Sequence, residues 1–172
     1  MNVADVMTRE IRTIGPDDTL ERAACLMWEY DCGCLPVVDA ERRPVAMLTD
    51  RDVCMHAYTQ GRRLADLPVR GAMSTAARTI RGDEPVARAE RVMQEYQVRR
   101  LPVVDAEGRL QGLLSLMDVA RAAAKPPVGR TPVPRADQVA ETLAAVGRPH
   151  ACLLPAGPVP RAKAAREFVI AR

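Results

Sequence analysis

The chain has 172 residues, 48% of them hydrophobic but only 3% aromatic, and a formal charge of +3. That length suits one compact domain, or a small domain with a tail, and the core must come from Val, Leu, Ile, Ala and Met. Charge is uneven, −1 before Pro126 and +4 from there on, so the first 125 residues lack the basic, aromatic-interleaved face of a nucleic-acid binder.

Five cysteines are an odd number and too sparse for a secreted disulfide scaffold. The N-terminal MNVADVMTRE has neither the basic n-region nor the apolar h-region of a signal peptide. No stretch approaches the apolar length of a membrane span. A cytoplasmic protein without membrane association is expected.

Residues 3–53 align on 69–119 without gaps, at a constant offset of 66, with 22 identities in 51 positions. Unrelated segments would match at roughly one position in fifteen to twenty, so the chain carries an internal duplication. Each copy starts with a short extended piece, RTI at 12–14 and 78–80. A polar turn follows, GPDD or RGDE. Next comes a helix. Leu20, Ala23, Ala24, Met27 and Trp28 take the spacing of one buried face, and Val86, Ala89, Val92, Met93 and Tyr96 do likewise. A buried strand, LPVVD, recurs at 35–39 and 101–105, with Pro at its start where a missing N–H is tolerated. A hairpin-like turn, AERR or AEGR, leads to a second strand, PVAML or LQGLL. The last element is a helix opening at Thr49 or Ser115. Each copy therefore reads β-α-β-β-α, and the fold class is α+β. About 50 residues make a marginal core, so the two copies are expected to pack face to face about a pseudo-twofold axis.

Asp-Val-Met-Thr at 5–8, the helix with Ala23 and Met27, the LPVVD strand, and T-x-x-D-V at 49–53 or S-x-x-D-V at 115–119 recur in order. Together they resemble the CBS domain pair, or Bateman module, over residues 1 to about 124. QVRRLPVVD and LTDRDV look like small bacterial stand-alone CBS-pair proteins. The expected domains are repeat 1 at 1–62, repeat 2 at 63–124 and a Pro-rich, mobile tail at 125–172. The resemblance implies a regulatory protein and not an enzyme. It implies adenosyl ligands (AMP, ADP, ATP or S-adenosylmethionine) in clefts between the repeats, a homodimer, and a separate regulated protein. No cofactor is required.

Thr49 with Asp52, and Ser115 with Asp118, read as N-caps with an acidic residue at N3. A helix N-terminus suits phosphate, and a carboxylate beside it can accept both hydroxyls of a ribose. In the family the Asp of this motif grips the ribose and the Thr or Ser lies near the phosphate, which marks Thr49, Asp52, Ser115 and Asp118. Arg99 and Arg100 could fork onto phosphate oxygens, as a basic pair does in similar members, or form a solvated basic turn. The first copy has Gly33 and Cys34 there, after Cys32, so the clefts cannot be equivalent. The cleft bordered by the arginines should prefer a phosphorylated ligand. Ala46 replaces Gly112 in the strand before the cap, and closer approach is expected at the glycine.

Cys32, Cys34, Cys54 and His56 lack a usual zinc spacing, and Cys54 and His56 would point about 200° apart on their helix. No metal is expected. An alternative reading is a structural or stress-response member with no nucleotide and a redox-responsive Cys32/Cys34 pair in an exposed turn. Only His56 and His150 are present, and no catalytic motif accompanies them. In the tail, six prolines after the KPP pair preclude a continuous helix. Short helices fit Ala136–Val146, with Gly147 as C-cap, and Arg161–Arg172. Nucleic acid is not an expected partner.

Overall fold

The computed structural model describes residues 1–124 and 134–148. Each repeat builds a hairpin from its two strongest apolar runs. In the first, β1 (Cys34–Val38) pairs antiparallel with β2 (Pro44–Thr49). In the second, β3 (Ile80–Arg81) runs parallel to β4 (Arg100–Val104), which pairs antiparallel with β5 (Leu110–Ser115). The register breaks at the same place in both hairpins, between Val37 and Val38 and between Val103 and Val104.

The repeated DAE closes both turns. Asp39 Oδ1 accepts from the N–H groups of Glu41 (3.1 Å) and Arg43 (2.7 Å), and Asp105 Oδ1 accepts from those of Glu107 (3.0 Å) and Arg109 (2.7 Å). The turn needs a left-handed residue, supplied by Gly108 at φ 80° and by Arg42 at φ 62°.

Two expectations change at the strands. The RTI piece is a strand only in the second repeat; in the first it is a single parallel bridge from Ile14 to Val37. The prolines are third in their strands, Pro36 opposite Met47 and Pro102 opposite Leu113, not at the start. Pro36 is tolerated because it faces Ile14, whose N–H donates to the Pro36 carbonyl (3.1 Å), so its missing N–H costs the hairpin no bond.

The helices are α1 (Leu20–Glu29), α2 (Asp50–Gln60), α3 (Val86–Tyr96), α4 (Leu116–Ala123) and α5 (Ala136–Val146). Leu20, Ala23 and Met27 bury the inner face of α1, as Val86, Ala89, Val92 and Met93 do for α3. Trp28, read as part of that face, is instead 89% exposed, and Tyr96 is 40% exposed. Both sit at the edge of their stripes, where one further step around the helix reaches solvent.

Buried residues form two clusters, and these do not follow the sequence repeats. Val3 and Met7 pack with Ile80, Met93, Leu101 and Leu114 of the second repeat. Leu67 and Val69 pack with Ile14, Leu20, Leu35 and Leu48 of the first. Each copy's leading segment has crossed to the other copy. Thr8 exchanges backbone bonds with Leu113 (2.9 Å both ways), and at the equivalent place Ser74 N–H donates to Met47 (2.9 Å). The division at 62/63 therefore separates the repeats as written, whereas the cores divide the chain differently. Two cores result, joined by the exchanged segments. At Gly112 a Cβ would come within 2.7 Å of the Thr8 carbonyl and 2.9 Å of Met7 Sδ, so the crossing segment needs that glycine.

The helix expected over Ala136–Val146 is present, with Gly147 at its C-cap. It does not stand apart from the pair. Thr142 and Val146 are buried on α3 and α4; Gln94 Nε2 donates to Thr142 Oγ1 (2.7 Å) and Gln97 Nε2 to the Ala145 carbonyl (3.3 Å). An apolar i, i+3, i+7 stripe explains why it is packed and not free in solvent. The helix expected over 161–172 lies outside the described residues. Among the described residues no helix is long and apolar enough to cross a membrane.

Candidate ligand-binding site

The caps come first. Thr49 Oγ1 accepts from Asp52 N–H (3.2 Å), and Asp52 Oδ2 accepts from Thr49 N–H (2.9 Å). Ser115 and Asp118 repeat this ring at 3.2 and 2.8 Å. Both are full capping boxes built with Asp at N3. They differ in the other carboxylate oxygen. Asp118 Oδ1 accepts from Arg121 (2.8 Å), whereas the position equivalent to Arg121 in the first repeat is Met55.

Ser115 and Asp118 form one wall of a cleft of about 410 Å³. Residues of both halves line it: Thr8, Glu10 to Arg12 and Tyr30 to Cys34 from one, Arg100, Leu113 and Arg121 from the other. Strand register brings Arg100 there, because it pairs with Ser115 across the β4–β5 hairpin. Arg12 lies flat on the Tyr30 ring, 3.9 Å from its centre. Three guanidiniums, Arg12, Arg100 and Arg121, thus meet the carboxylates of Glu10, Asp31 and Asp118 around one opening beside the N-terminus of α4.

The sequence-derived residues separate accordingly. Arg100, Ser115 and Asp118 come together. Arg99 is not part of this wall: its side chain is exposed, and its carbonyl accepts from Leu116 N–H (2.9 Å) to hold the start of α4. Gly33 does the same for Asp50 (3.2 Å). Thr49 and Asp52 lie outside the cleft, at the pseudo-equivalent end of the other hairpin; the stack of Arg12 on Tyr30 also has its counterpart in the repeat, Arg78 on Tyr96 at 4.0 Å. Arg12, Tyr30 and Arg121 were missed. Arg12/Arg78 and Tyr30/Tyr96 are identities of the repeat, and that was the available signal.

Cys32 and Cys34 line the cleft but are not in an exposed turn. Cys34 opens β1 at 5% exposure. Burial pushes both thiols up; the Cys34 backbone N–H, for Cys32, and the Arg100 guanidinium, for both, offset only part of that. Cys34, buried and held as the thiol, is a poor nucleophile, and Cys32 is half-buried. Among the described residues no three His, Cys, Asp or Glu side chains gather as a metal-ion ligand set.

The CBS domain model matches residues 3–58 and 66–125. The chain belongs to the CBS domain family. It is 36% identical over 119 residues, 69% of this chain and 83% of the relative, to the CBS domain-containing protein YhcV of Bacillus subtilis. CBSX2, a CBS-pair protein of Arabidopsis thaliana solved in complex with AMP, has a TM-score of 0.62 at 30% identity, covering 71% of this chain and 95% of that one. The CBS pair of protein MJ0100, in complex with 5′-methylthioadenosine and S-adenosyl-L-methionine, has a TM-score of 0.63 at 25% identity, covering 70% and 94%. Hypoxic Response Protein I, solved with two coordinated zinc ions, has a TM-score of 0.65 at 31% identity, covering 73% and 100%. CBS pairs are regulatory or signalling modules, and structures similar to this one bind adenosyl ligands.

Proposed function

We propose that this CBS pair is a cytoplasmic sensor of an adenosyl nucleotide (AMP, ADP or ATP, with S-adenosylmethionine as the alternative) that alters a separate partner protein. The observation that carries this reading is Arg100 beside the Ser115–Asp118 capping box in a cleft made by both repeats. In it, Asp118 accepts the ribose hydroxyls once Arg121 swings aside, and Ser115, the start of α4 and Arg100 take the phosphate. Thr49 and Asp52 form a second, less basic site, and Arg99 adds long-range attraction. Because residues of both halves frame the cleft, a bound ligand changes how the halves sit together, which is the signal a partner reads. The assembly is a homodimer, which a closed pseudo-twofold body suits, and its contact avoids the α3–α4 face that α5 covers. The chain performs no catalysis in this reading.

Calorimetry with AMP, ATP and S-adenosylmethionine tests it. AMP or ATP should bind, and Arg100→Ala should weaken both by about ten- to a hundredfold, on the order of 1.5–3 kcal/mol for a charge-assisted bond, while adenosine is nearly unaffected. Equal loss for adenosine would make Arg100 a structural residue. Absence of binding by all three ligands would leave the nucleotide-free reading.

A further inference from the structure

The two capping boxes differ in what meets the second carboxylate oxygen. Among the described residues the Asp52 carboxylate accepts only from Thr49, and Met55 stands one turn further along α2. Asp118 Oδ2 accepts twice from Ser115, from its N–H (2.8 Å) and its Oγ (2.5 Å), while Oδ1 accepts from Arg121 Nη1 (2.8 Å). The Asp118 side chain is 9% exposed and that of Arg121 is 69% exposed. The acid is therefore fixed, and the arginine is the end that can move. Arg121 lines the cleft with Arg100 and Ser115, so a single carboxylate separates its guanidinium from the start of α4.

We infer, resting on the adenosyl-ligand reading of this cleft, that Arg121 is its specificity-determining residue: it competes with ribose for Asp118 and selects phosphorylated adenosyl ligands over adenosine and S-adenosylmethionine. Ribose hydroxyls and the guanidinium seek the same oxygen, Oδ1, because Ser115 holds Oδ2 twice. Every adenosyl ligand must break the ion pair to reach it. A nucleotide compensates the loss, since the displaced guanidinium turns to its phosphate, whose oxygens match the arginine fork. Adenosine brings no anion, and the guanidinium is left without a partner. S-adenosylmethionine carries a sulfonium cation where the nucleotide carries phosphate, and so sets like charges together beside Arg100 and Arg121, an arrangement that costs affinity. The partly exposed pair has a modest net strength, which makes it a selector and not a block. The first repeat, with Met55, lacks the competitor, and its site does not distinguish ligands in this way.

Calorimetry with adenosine, AMP and S-adenosylmethionine tests it on the full chain carrying Asp52→Ala, which confines binding to the Asp118 cleft. This parent should bind AMP more tightly than the other two. Arg121→Met, which copies Met55, should tighten adenosine and weaken AMP, each several-fold, so that the preference for AMP falls by about tenfold. Opposite movement separates Arg121 from Arg100, whose loss leaves adenosine nearly unaffected, and from a structural residue, whose loss moves both ligands together. Arg121→Lys keeps the charge without the fork and should retain most of the preference. Added salt should erode the preference more in the parent than in Arg121→Met. Circular dichroism of the variants should match the parent, since the Arg121 side chain is exposed. A common factor for adenosine and AMP in Arg121→Met would overturn the inference and leave the ligand reading standing. So would a parent that prefers S-adenosylmethionine. A folded parent that binds none of the three would overturn the ligand reading of this cleft, and the inference with it.

Discussion

Asp118 commits one carboxylate oxygen to the cap of α4 and the other to Arg121. Asp52 makes the same cap, with Met55 where Arg121 would be. Two near-identical motifs thus differ in their neighbours, and the neighbours decide which cleft attracts phosphate. Asp118→Ala is expected to weaken AMP binding more than Asp52→Ala, because Arg100 stands in the Asp118 cleft and Cys34 holds the matching position of the first repeat. Both variants remove the N3 arm of a capping box and keep the N-cap hydroxyl, so the melting temperature of each is read beside its affinity. Equal losses of affinity, measured by calorimetry, would remove the asymmetry. The motif, the arginine and the asymmetry were legible in the sequence. The separation of Arg99 from Arg100 was not, since it follows from strand alternation at the first residue of β4, and a one-residue shift in where the strand starts exchanges inward and outward positions.

At the scale of elements, α5 covers a buried acid. Glu90 on α3 is 4% exposed, and its Oε1 has no hydrogen-bond partner among the described residues. Met1, Pro134, Arg135 and Gln138 surround it, with Arg135 turned to Asp137. Burial pushes the Glu90 carboxyl above its ordinary value. The folded state therefore favours the protonated acid. As pH rises from the ordinary glutamate range through the raised folded value, the unfolded chain releases its proton first and stability falls. Glu90→Gln, which cannot ionise, should lose less stability over that rise, and its melting temperature relative to the parent should climb between pH 4 and pH 8. Parallel curves would show that Glu90 is ionised and satisfied in the fold. α5 itself was readable from its stripe and its glycine cap. Its docking was not, because Gln94 and Gln97 look like solvent-facing residues until a helix lies over them.

For the whole molecule, the crossed segments govern folding. A fragment of residues 1–62 holds the first repeat as written but omits Leu67 and Val69, both fully buried or nearly so in its core. It retains Val3 and Met7, whose partners belong to the second repeat. Burying a side chain of this size is worth roughly 1.5–3 kcal/mol, and a unit of this length has little margin. The fragment should show no protected amides in hydrogen exchange, whereas full-length protein should protect both hairpins together. A protected, monomeric 1–62 fragment would mean that each repeat folds without the exchange.

The sequence by itself determined the repeat, the hairpins, the capped helices, the family and the residue types at each helix N-terminus. All of these rest on contacts within about twenty residues or on letters that occur twice. The tertiary structure decided which leading segment completes which core, that Arg100 and not Arg99 enters the cleft, that Cys34 is buried, and that α5 rests on α3 and α4. Those outcomes depend on contacts between residues distant in sequence, such as Thr8 with Leu113 and Gln94 with Thr142. Hydrophobic periodicity shows that a face will be buried; only packing selects what buries it.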